Sequence, residues 1–478
     1  MLRNKSTTIL SDLQDFFNVS EKATGSLMNV INTLSIPKNL FRDKENNLYS
    51  SKQKLLLLLL FPFFGVKDCS HFRESAISRF IHCGKDVFYR YLNLSTTDWR
   101  KILYHLNMKL LKKVEQQKDS IEVHPRCLIV DDTDMPKTGR SMELIGRVFS
   151  HVTQRSILAL KGLFLGYHDG KSFYGLDFSL HGEKGKNAER PYGLSQAEFR
   201  SRYSKTRPPE SAGGKRVEEY FQTKIASTLS MIRRAIEKGI RFDYLLVDSW
   251  FTCYEIVRFI HTRRIGCHLL GMQKMGNTRY HYQGKMMTSK EIAADLRRKK
   301  QIKRSRRLNC WYGEAIVHFQ DMRVKLFFCK SSGKGSWNAM LSTNLKLGFE
   351  KAYQIYATRW TIEVYFKEAK QYLGLGKNQS QDFDAQIAHT SLCILQYNML
   401  SAVKRFTDYE TIGELFRQAQ QGTLELTVYE RIWQIIIEII HELSEMTGAD
   451  MELLMENLFS ENEKFSKLIN YQILLKAS

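Results

Sequence analysis

Two short apolar runs in this chain each lead directly into a carboxylate: Cys127 to Val130 (CLIV) before Asp131 and Asp132, and Tyr244 to Val247 (YLLV) before Asp248. A run of about four apolar residues bounded by polar turns is the signature of a strand buried on both faces. An acid at the end of such a strand stands at the mouth of an α/β sheet, where ligands gather. The pattern therefore demands a sheet core with acids on its rim. Aspartate at such a place also caps turns and helices routinely, so the two strings alone leave catalysis and capping both open.

The remaining pattern sorts the chain into regions. Residues 1–120 show helical periodicity, including a greasy run Leu55 to Phe64 that is too short to span a bilayer and holds a proline, so it reads as a buried helix followed by a break. Within this region His71 to Ile81 reads as a short helix, Cys83-Gly84-Lys85 as a turn, and Asp86 to Leu92 as a second helix. Such a pair could present Lys85 and Arg90 to a DNA groove or simply pack. Residues 121–274 read as the first part of a mixed-sheet catalytic core. Ile157 to Tyr167 and Phe173 to Leu180 flank a His168-Asp169-Gly170-Lys171 turn as a hairpin. Gly182 to Arg216 lacks periodicity and reads as a mobile basic loop, followed by one helix from Val217 to Lys238, the Asp248 strand, a helix Tyr254 to Thr262 and a strand Cys267 to Met272. Residues 275–345 form a β-rich insertion with strands at Ala315 to Phe319, Val324 to Cys329 and Trp337 to Leu341. Residues 346–400 bring a long helix from Phe349 to Leu373 as the second part of the core, and 401–478 read as a helical carboxyl-terminal region suited to dimerisation.

Charge narrows the partners. The 478 residues carry 72 Lys and Arg against 50 Asp and Glu, a formal +22 that favours a polyanion such as nucleic acid. From Leu424 onward the balance inverts to ten acidic against four basic side chains, which fits protein contact better than DNA. The runs at 182–216 and Arg297 to Arg307, with Arg297 and Arg298 at the head of the second, are the expected phosphate contacts. Eight scattered cysteines without a CxxC pair suggest reduced thiols and no zinc knuckle. The first residues lack the apolar core of a signal peptide, so a cytoplasmic setting is expected.

A third acid, Glu363, follows the β-rich block in the string YATRWTIEVYFKEAK, where Tyr356, Arg359, Glu363 and Lys370 obey Y-x2-R-x3-E-x6-K. Offsets of 3, 7 and 14 fall on one helical face. That face would set a carboxylate between a guanidinium able to fork onto phosphate oxygens and an ammonium acting as a point charge. It also suits an exposed helix laced with ion pairs such as Arg359 with Glu363. Trp360, inside the string, reads as core.

The tetrad resembles the YREK signature of DDE transposases of insertion-sequence family four, and the VDDT and VDSWF strings resemble that family's first and second aspartate motifs, in the same order along the chain. The resemblance implies a ribonuclease-H-like mixed sheet core with a β-rich insertion, flanked by all-α amino- and carboxyl-terminal regions. It further implies two Mg2+ ions, with Mn2+ able to substitute, held by Asp131, Asp248 and Glu363 as catalytic metal ligands. Tyr356, Arg359 and Lys370 match DNA-contacting positions, and Trp337 falls near a base-stacking tryptophan, offset by a residue or two. Asp132 is the alternative first ligand to Asp131. The implied activity is cut-and-paste transposition: a homodimer binds paired terminal inverted repeats, cleaves, forms and reopens a hairpin, and joins the ends to target DNA in the bacterial cytoplasm at the nucleoid. A ribonuclease-H-like nuclease or resolvase without strand transfer, and a catalytically silent DNA-binding regulator derived from a transposase, are the alternatives.

Overall fold

The structure is a computed structural model that describes residues 47–81, 83–116, 124–262, 266–331 and 335–424, with a few positions from Leu27 to Asp43 and Ile439. The acidic stretch beyond 424, except Ile439, where self-association is expected, and the first 26 residues lie outside the described residues.

Twelve strands among the described residues form one sheet. They are β1 (Cys127–Pro136), β2 (Gly146–Ser150), β3 (Arg155–His168), β4 (Phe173–His181), β5 (Tyr244–Val247), β6 (His268–Gln273), β7 (Arg279–Tyr282), β8 (Lys285–Thr288), β9 (Lys303–Ser305), β10 (Cys310–Phe319), β11 (Met322–Ser331) and β12 (Asn338–Ser342). The helices are α1 (Ser51–Leu60), α2 (Lys85–Leu92), α3 (Trp99–Gln116), α4 (Gln196–Arg200), α5 (Ala212–Tyr220), α6 (Lys224–Glu237), α7 (Tyr254–Thr262), α8 (Ser289–Arg298), α9 (Phe349–Ala357), α10 (Trp360–Tyr372) and α11 (Phe383–Arg405).

The core of the sheet runs β4-β3-β1-β5-β6, with β3 antiparallel to both β4 and β1, and with β1, β5 and β6 parallel. It is the mixed parallel and antiparallel sheet that the sequence predicts. Cys127 to Val130 and Leu245 to Val247 are wholly buried, because helices cover both faces of a parallel segment. The insertion extends this sheet: β12 pairs antiparallel with β6, and β11 and β10 follow outward.

On one side of the sheet α11 is buried around nearly its whole circumference, as expected of a helix apolar on every face. Its buried polar side chains include clamps to the elements around it. Asn398 accepts from Gly175 N at 2.8 Å and donates to Gly175 O at 2.7 Å and Asn107 Oδ1 at 2.8 Å, tying α11 to β4 and α3. A Cβ on Gly175 would lie 2.9 Å from Ile394 Cγ2, so a larger residue would force that side chain or α11 to shift.

Several expectations are corrected. The segment Val217 to Lys238 is two helices, α5 and α6, because the Thr223 hydroxyl accepts from Ala226 N and starts a new helix. His71 to Ile81 holds two 3-10 segments, Cys69–His71 and Ala76–Phe80, in place of an α-helix, although α2 follows as expected. Strand β2 has no counterpart in the sequence reading. The basic stretch 182–216 is not a mobile loop: it contains α4 and the start of α5, and its cations are partly spent inside the protein. Arg207 forks onto Glu143 (2.6 Å) and reaches Asp384 (2.9 Å), Lys205 pairs with Asp382 and Asp384 (both 2.8 Å), and Arg216 is buried against Glu219. The run 297–307 divides between the last turn of α8 and β9. No helix among the described residues is long and apolar enough to cross a membrane.

Candidate active site at the carboxylate rim of the sheet

Parallel pairing of β1 with β5 stops at Val130 and Val247, so Asp131 and Asp248 are the first residues past it on adjacent strands, roughly 5 Å apart in backbone. β1 does not end there, contrary to the sequence reading. It runs on against β3 from Asp131 opposite Phe164 to Pro136 opposite Ala159, which fixes Asp131 on a rigid strand. Asp248 begins a tight turn: its Oδ1 accepts from Trp250 N (2.9 Å) and Phe251 N (3.1 Å), and its carbonyl accepts from Thr252. Buried Phe251 anchors that turn.

Glu363 arrives from the other layer. The Phe349 to Leu373 helix is interrupted, and α9 and α10 meet through tight i to i−3 bonds, from Thr358 N to Ile355 O, Arg359 N to Tyr356 O and Ile362 N to Arg359 O. A 3-10 turn eclipses residues three apart, which sets Arg359 directly over Tyr356. The guanidinium then bridges two acids: one terminal nitrogen lies 2.8 Å from Asp131 Oδ2 and the other 2.5 Å from Glu363 Oε1. Tyr356 donates its hydroxyl to Val247 O at 3.2 Å, beside Asp248. Thus Asp131, Asp248, Glu363, Arg359 and Tyr356 share one cleft.

Other predicted residues fall at its edges or away from it. Side chains alternate along β1, so Asp132 faces the opposite side from Asp131 and pairs with Lys224 of α6 at 2.6 Å. Lys370 donates to Thr133 Oγ1 at 2.6 Å, two residues along from Asp131. Trp337, half-buried, precedes β12 at the same end of the sheet as the acids, two strands beyond Asp248. Lys85 and Arg90 are exposed on α2, and Arg297 and Arg298 on α8 beside the outer strands β7, β8 and β10; these four are not brought to the acids.

Two indoles carry information that sequence reasoning missed. Trp360 is 62% exposed, so it is not core, and Trp250 is 44% exposed beside Asp248 with the Lys224 ammonium 4.1 Å from its ring centroid. The polar string VDSWF hinted at Trp250, whereas Lys224, a single lysine at a helix start, had no signal.

The cleft calls for positive charge. Burial pushes the Asp131 carboxyl up to about 7, helped by the nearby Asp248 and Asp132 charges and only partly offset by Arg359. Burial works against the Arg359 charge, yet Tyr356, Glu363 and Asp131 around it raise its pKa. Burial lowers Lys370 and raises the Tyr356 hydroxyl. An acid raised on folding from about 4 stabilises the protein at low pH and loses that contribution as pH climbs toward about 7. In metal-free buffer at pH 8, Asp131→Asn should therefore melt a few degrees above the parent. A lower melting temperature for the variant in differential scanning calorimetry would contradict this account of the cleft.

Among the described residues no three His, Cys, Asp or Glu side chains stand close enough together to enclose a metal ion, because the Arg359 guanidinium lies between Asp131 and Glu363. The expected three-acid ligand set is therefore not assembled in this arrangement. The donors nevertheless suit a hard divalent cation: all are carboxylate oxygens, they come from three separate elements, and two of them, Asp131 and Glu363, already share one positive group.

Residues 77–268 match the family model described as DDE superfamily endonuclease, and residues 219–399 match that of the transposase DDE domain. Both matches are of DDE type. The first spans Asp131 and Asp248, and the second Asp248 and Glu363. A DDE nuclease region thus coincides with the sheet rim and the α9–α10 pair. No curated protein matches the chain significantly. Among solved structures, the piggyBac transposase synaptic complex with hairpin DNA is 11% identical, with a TM-score of 0.39 over 88% of this chain and 81% of that one. The NurA nuclease from Sulfolobus solfataricus is 10% identical, with a TM-score of 0.24 over 57% of this chain and 84% of that one. Both lie too far off to transfer detail.

Proposed function

We propose that this chain is the DNA transposase of an insertion sequence of the YREK type, a metal-dependent nuclease and strand transferase acting as a homodimer on paired terminal repeats. The observation that carries the reading is the Arg359 bridge between Asp131 and Glu363, with Asp248 next to Asp131 past the end of the neighbouring strand, inside the DDE-type matches. A chemically silent descendant would have no reason to keep Asp131 beside Asp248 where burial penalises its charge.

Asp131, on a strand held on both flanks, and Asp248, on a capped turn, form the rigid half of the metal site; Glu363 on α10 completes it. Two Mg2+ ions bound there, with Mn2+ able to substitute, would activate the attacking oxygen and stabilise the leaving one in an in-line displacement at phosphorus. Arg359, relieved of its acids, is then placed to fork onto a non-bridging phosphate oxygen. Lys370 supplies a point charge from the next turns of α10, and Tyr356 lines the floor beside Asp248. Asp131 is favoured over Asp132 as first ligand because Asp132 faces Lys224 on the other side of β1. Trp337 lies on the right rim to stack on an unpaired base, and the exposed Trp250 borders Asp248.

The test is incubation of the purified chain with a plasmid carrying the ends of its own element and Mg2+. Nicked, hairpin and joined products are expected. Freed ends with no joined product under any metal or DNA condition would leave a nuclease without strand transfer.

A further inference from the structure

At the end of the parallel strands opposite the acids lies a groove of about 1000 Å³ that the proposed chemistry does not use. It is bounded by α3, the segment Lys238 to Arg241 before β5, and Arg126 before β1. These are the starts of the parallel strands, whereas Asp131 and Asp248 follow their ends. At about 3.3 Å per residue, Arg126 is roughly 17 Å along β1 from Asp131.

The lining is cationic by construction. Lys101, His105, Lys109 and Lys112 recur at spacings of four, four and three, which puts them on one face of α3. The opposite face, with Ile102, Leu103, Leu106 and Leu110, is buried. Lys238 and Arg241 line the groove beside that stripe. Its carboxylates are Asp98, Glu115 and Asp169. Asp98 accepts from Lys101 N at the start of α3, and Asp169 is paired with Arg405 at 3.3 Å. A second cavity of about 840 Å³ adjoins it, sharing Asp98 and Lys101, and adds Lys54, Arg90 and Lys215 against Asp43 and Glu210. The two form a continuous basic track from α2 to the starts of the parallel strands.

We propose that this track binds the phosphate backbone of a DNA duplex passing the end of the catalytic sheet opposite the acids, an inference that rests on the DNA-acting reading above. From Lys101 to Lys112, α3 spans about 16 Å, the axial length of roughly five phosphates on one strand. The groove sets lysines and arginines over an apolar floor that includes Met108, Leu111 and Ile240; lysine is depleted in the cores of protein interfaces, so phosphate is the occupant that the charged rim suits.

The experiment uses the full chain and a duplex of about 40 base pairs of arbitrary sequence, with affinity measured by fluorescence anisotropy across a salt series without divalent metal. Each lost phosphate contact should lower the slope of log affinity against log salt by about 0.9. The quadruple variant Lys101→Ala, Lys112→Ala, Lys238→Ala, Arg241→Ala should therefore lose about 3 to 4 units of slope. A charge-matched control, with Lys67, Lys346, Lys351 and Lys377 changed to Ala, should lose less than about one. Should the quadruple variant fold poorly by circular dichroism, the double variant Lys101→Ala, Lys112→Ala should lose about 2 units. An unchanged slope, or equal losses in the test and control variants, overturns the proposal. Failure of the parent to cut DNA in Mg2+ or Mn2+ would sink the transposase reading while leaving the slope result to stand.

Discussion

Asp131→Asn, Asp248→Asn and Glu363→Gln should each lower Mg2+-dependent strand cleavage by about a thousandfold or more while leaving affinity for DNA within a few fold of the parent. The three changes are nearly isosteric, so the strand, the turn and the helix keep their shape. At position 248 an asparagine Oδ1 can still accept from Trp250 N and Phe251 N, so the turn is retained. What is lost is one negative oxygen ligand of a divalent cation, whose Lewis-acid contribution is several kcal/mol, and each 1.4 kcal/mol is tenfold in rate. DNA affinity should barely change, because it is dominated by cations that neutralise phosphates. Quantitative cleavage of labelled duplex, alongside anisotropy binding of the same duplex, reads both effects. Retention of activity within tenfold in any one of the three variants removes that residue from the catalytic set, and retention in all three removes the mechanism.

The largest effect on stability is expected at Asp177, far from the chemistry. It lies on β4 with no exposed surface. Arg100 Nε of α3 stands 3.0 Å from its Oδ1 and Arg234 Nε of α6 2.8 Å from its Oδ2, while Tyr104 donates to the same oxygen at 3.2 Å. Arg216 of α5 is wholly buried nearby, over the Phe178 ring, and Glu219 is the second acid of the cluster. Removing the Asp177 charge leaves three guanidinium groups with Glu219 alone. Breaking one side of a buried ion pair typically costs about 3–5 kcal/mol, and Asp177→Asn should cost an amount of that order by urea unfolding. A loss under about 1 kcal/mol would show that the cluster relaxes freely.

The pH dependence gives a second readout. Burial alone would raise the Asp177 carboxyl, but Arg100, Arg234 and Arg216 outweigh it and hold it at about 2. An acid depressed on folding stabilises the protein above its unfolded pKa of about 4 and loses that contribution as pH falls toward about 2. The parent should therefore lose stability between pH 4 and 2 through this group, and the Asn variant should lack that part of the acid transition.

Much of the framework was legible along the chain. The apolar runs became β1, β3, β4, β5, β6, β10, β11 and β12, and the Asp-Gly turn became the β3–β4 hairpin with Gly170 at φ 103°. Less visible were features whose cause is a partner distant in sequence. Lys205 and Arg207 looked like phosphate contacts until Glu143, Asp382 and Asp384 were seen to neutralise them. Trp360 looked like core because an indole in a helix usually buries, yet α10 turns Ile362, Tyr365, Phe366 and Ala369 inward and leaves Trp360 outside.

The sequence by itself determined most of the strands and helices, and that three acids would accompany them, because periodicity and turn chemistry are local. Tertiary structure alone decided that Asp131 and not Asp132 faces Glu363, that Arg359 is the group between them, and that a basic track runs past the end of the sheet opposite the acids. Those outcomes depend on which side of β1 each residue takes and on what packs across from it. Such relations arise only when residues more than 200 positions apart come within hydrogen-bond distance, as Arg359 and Asp131 do at 2.8 Å.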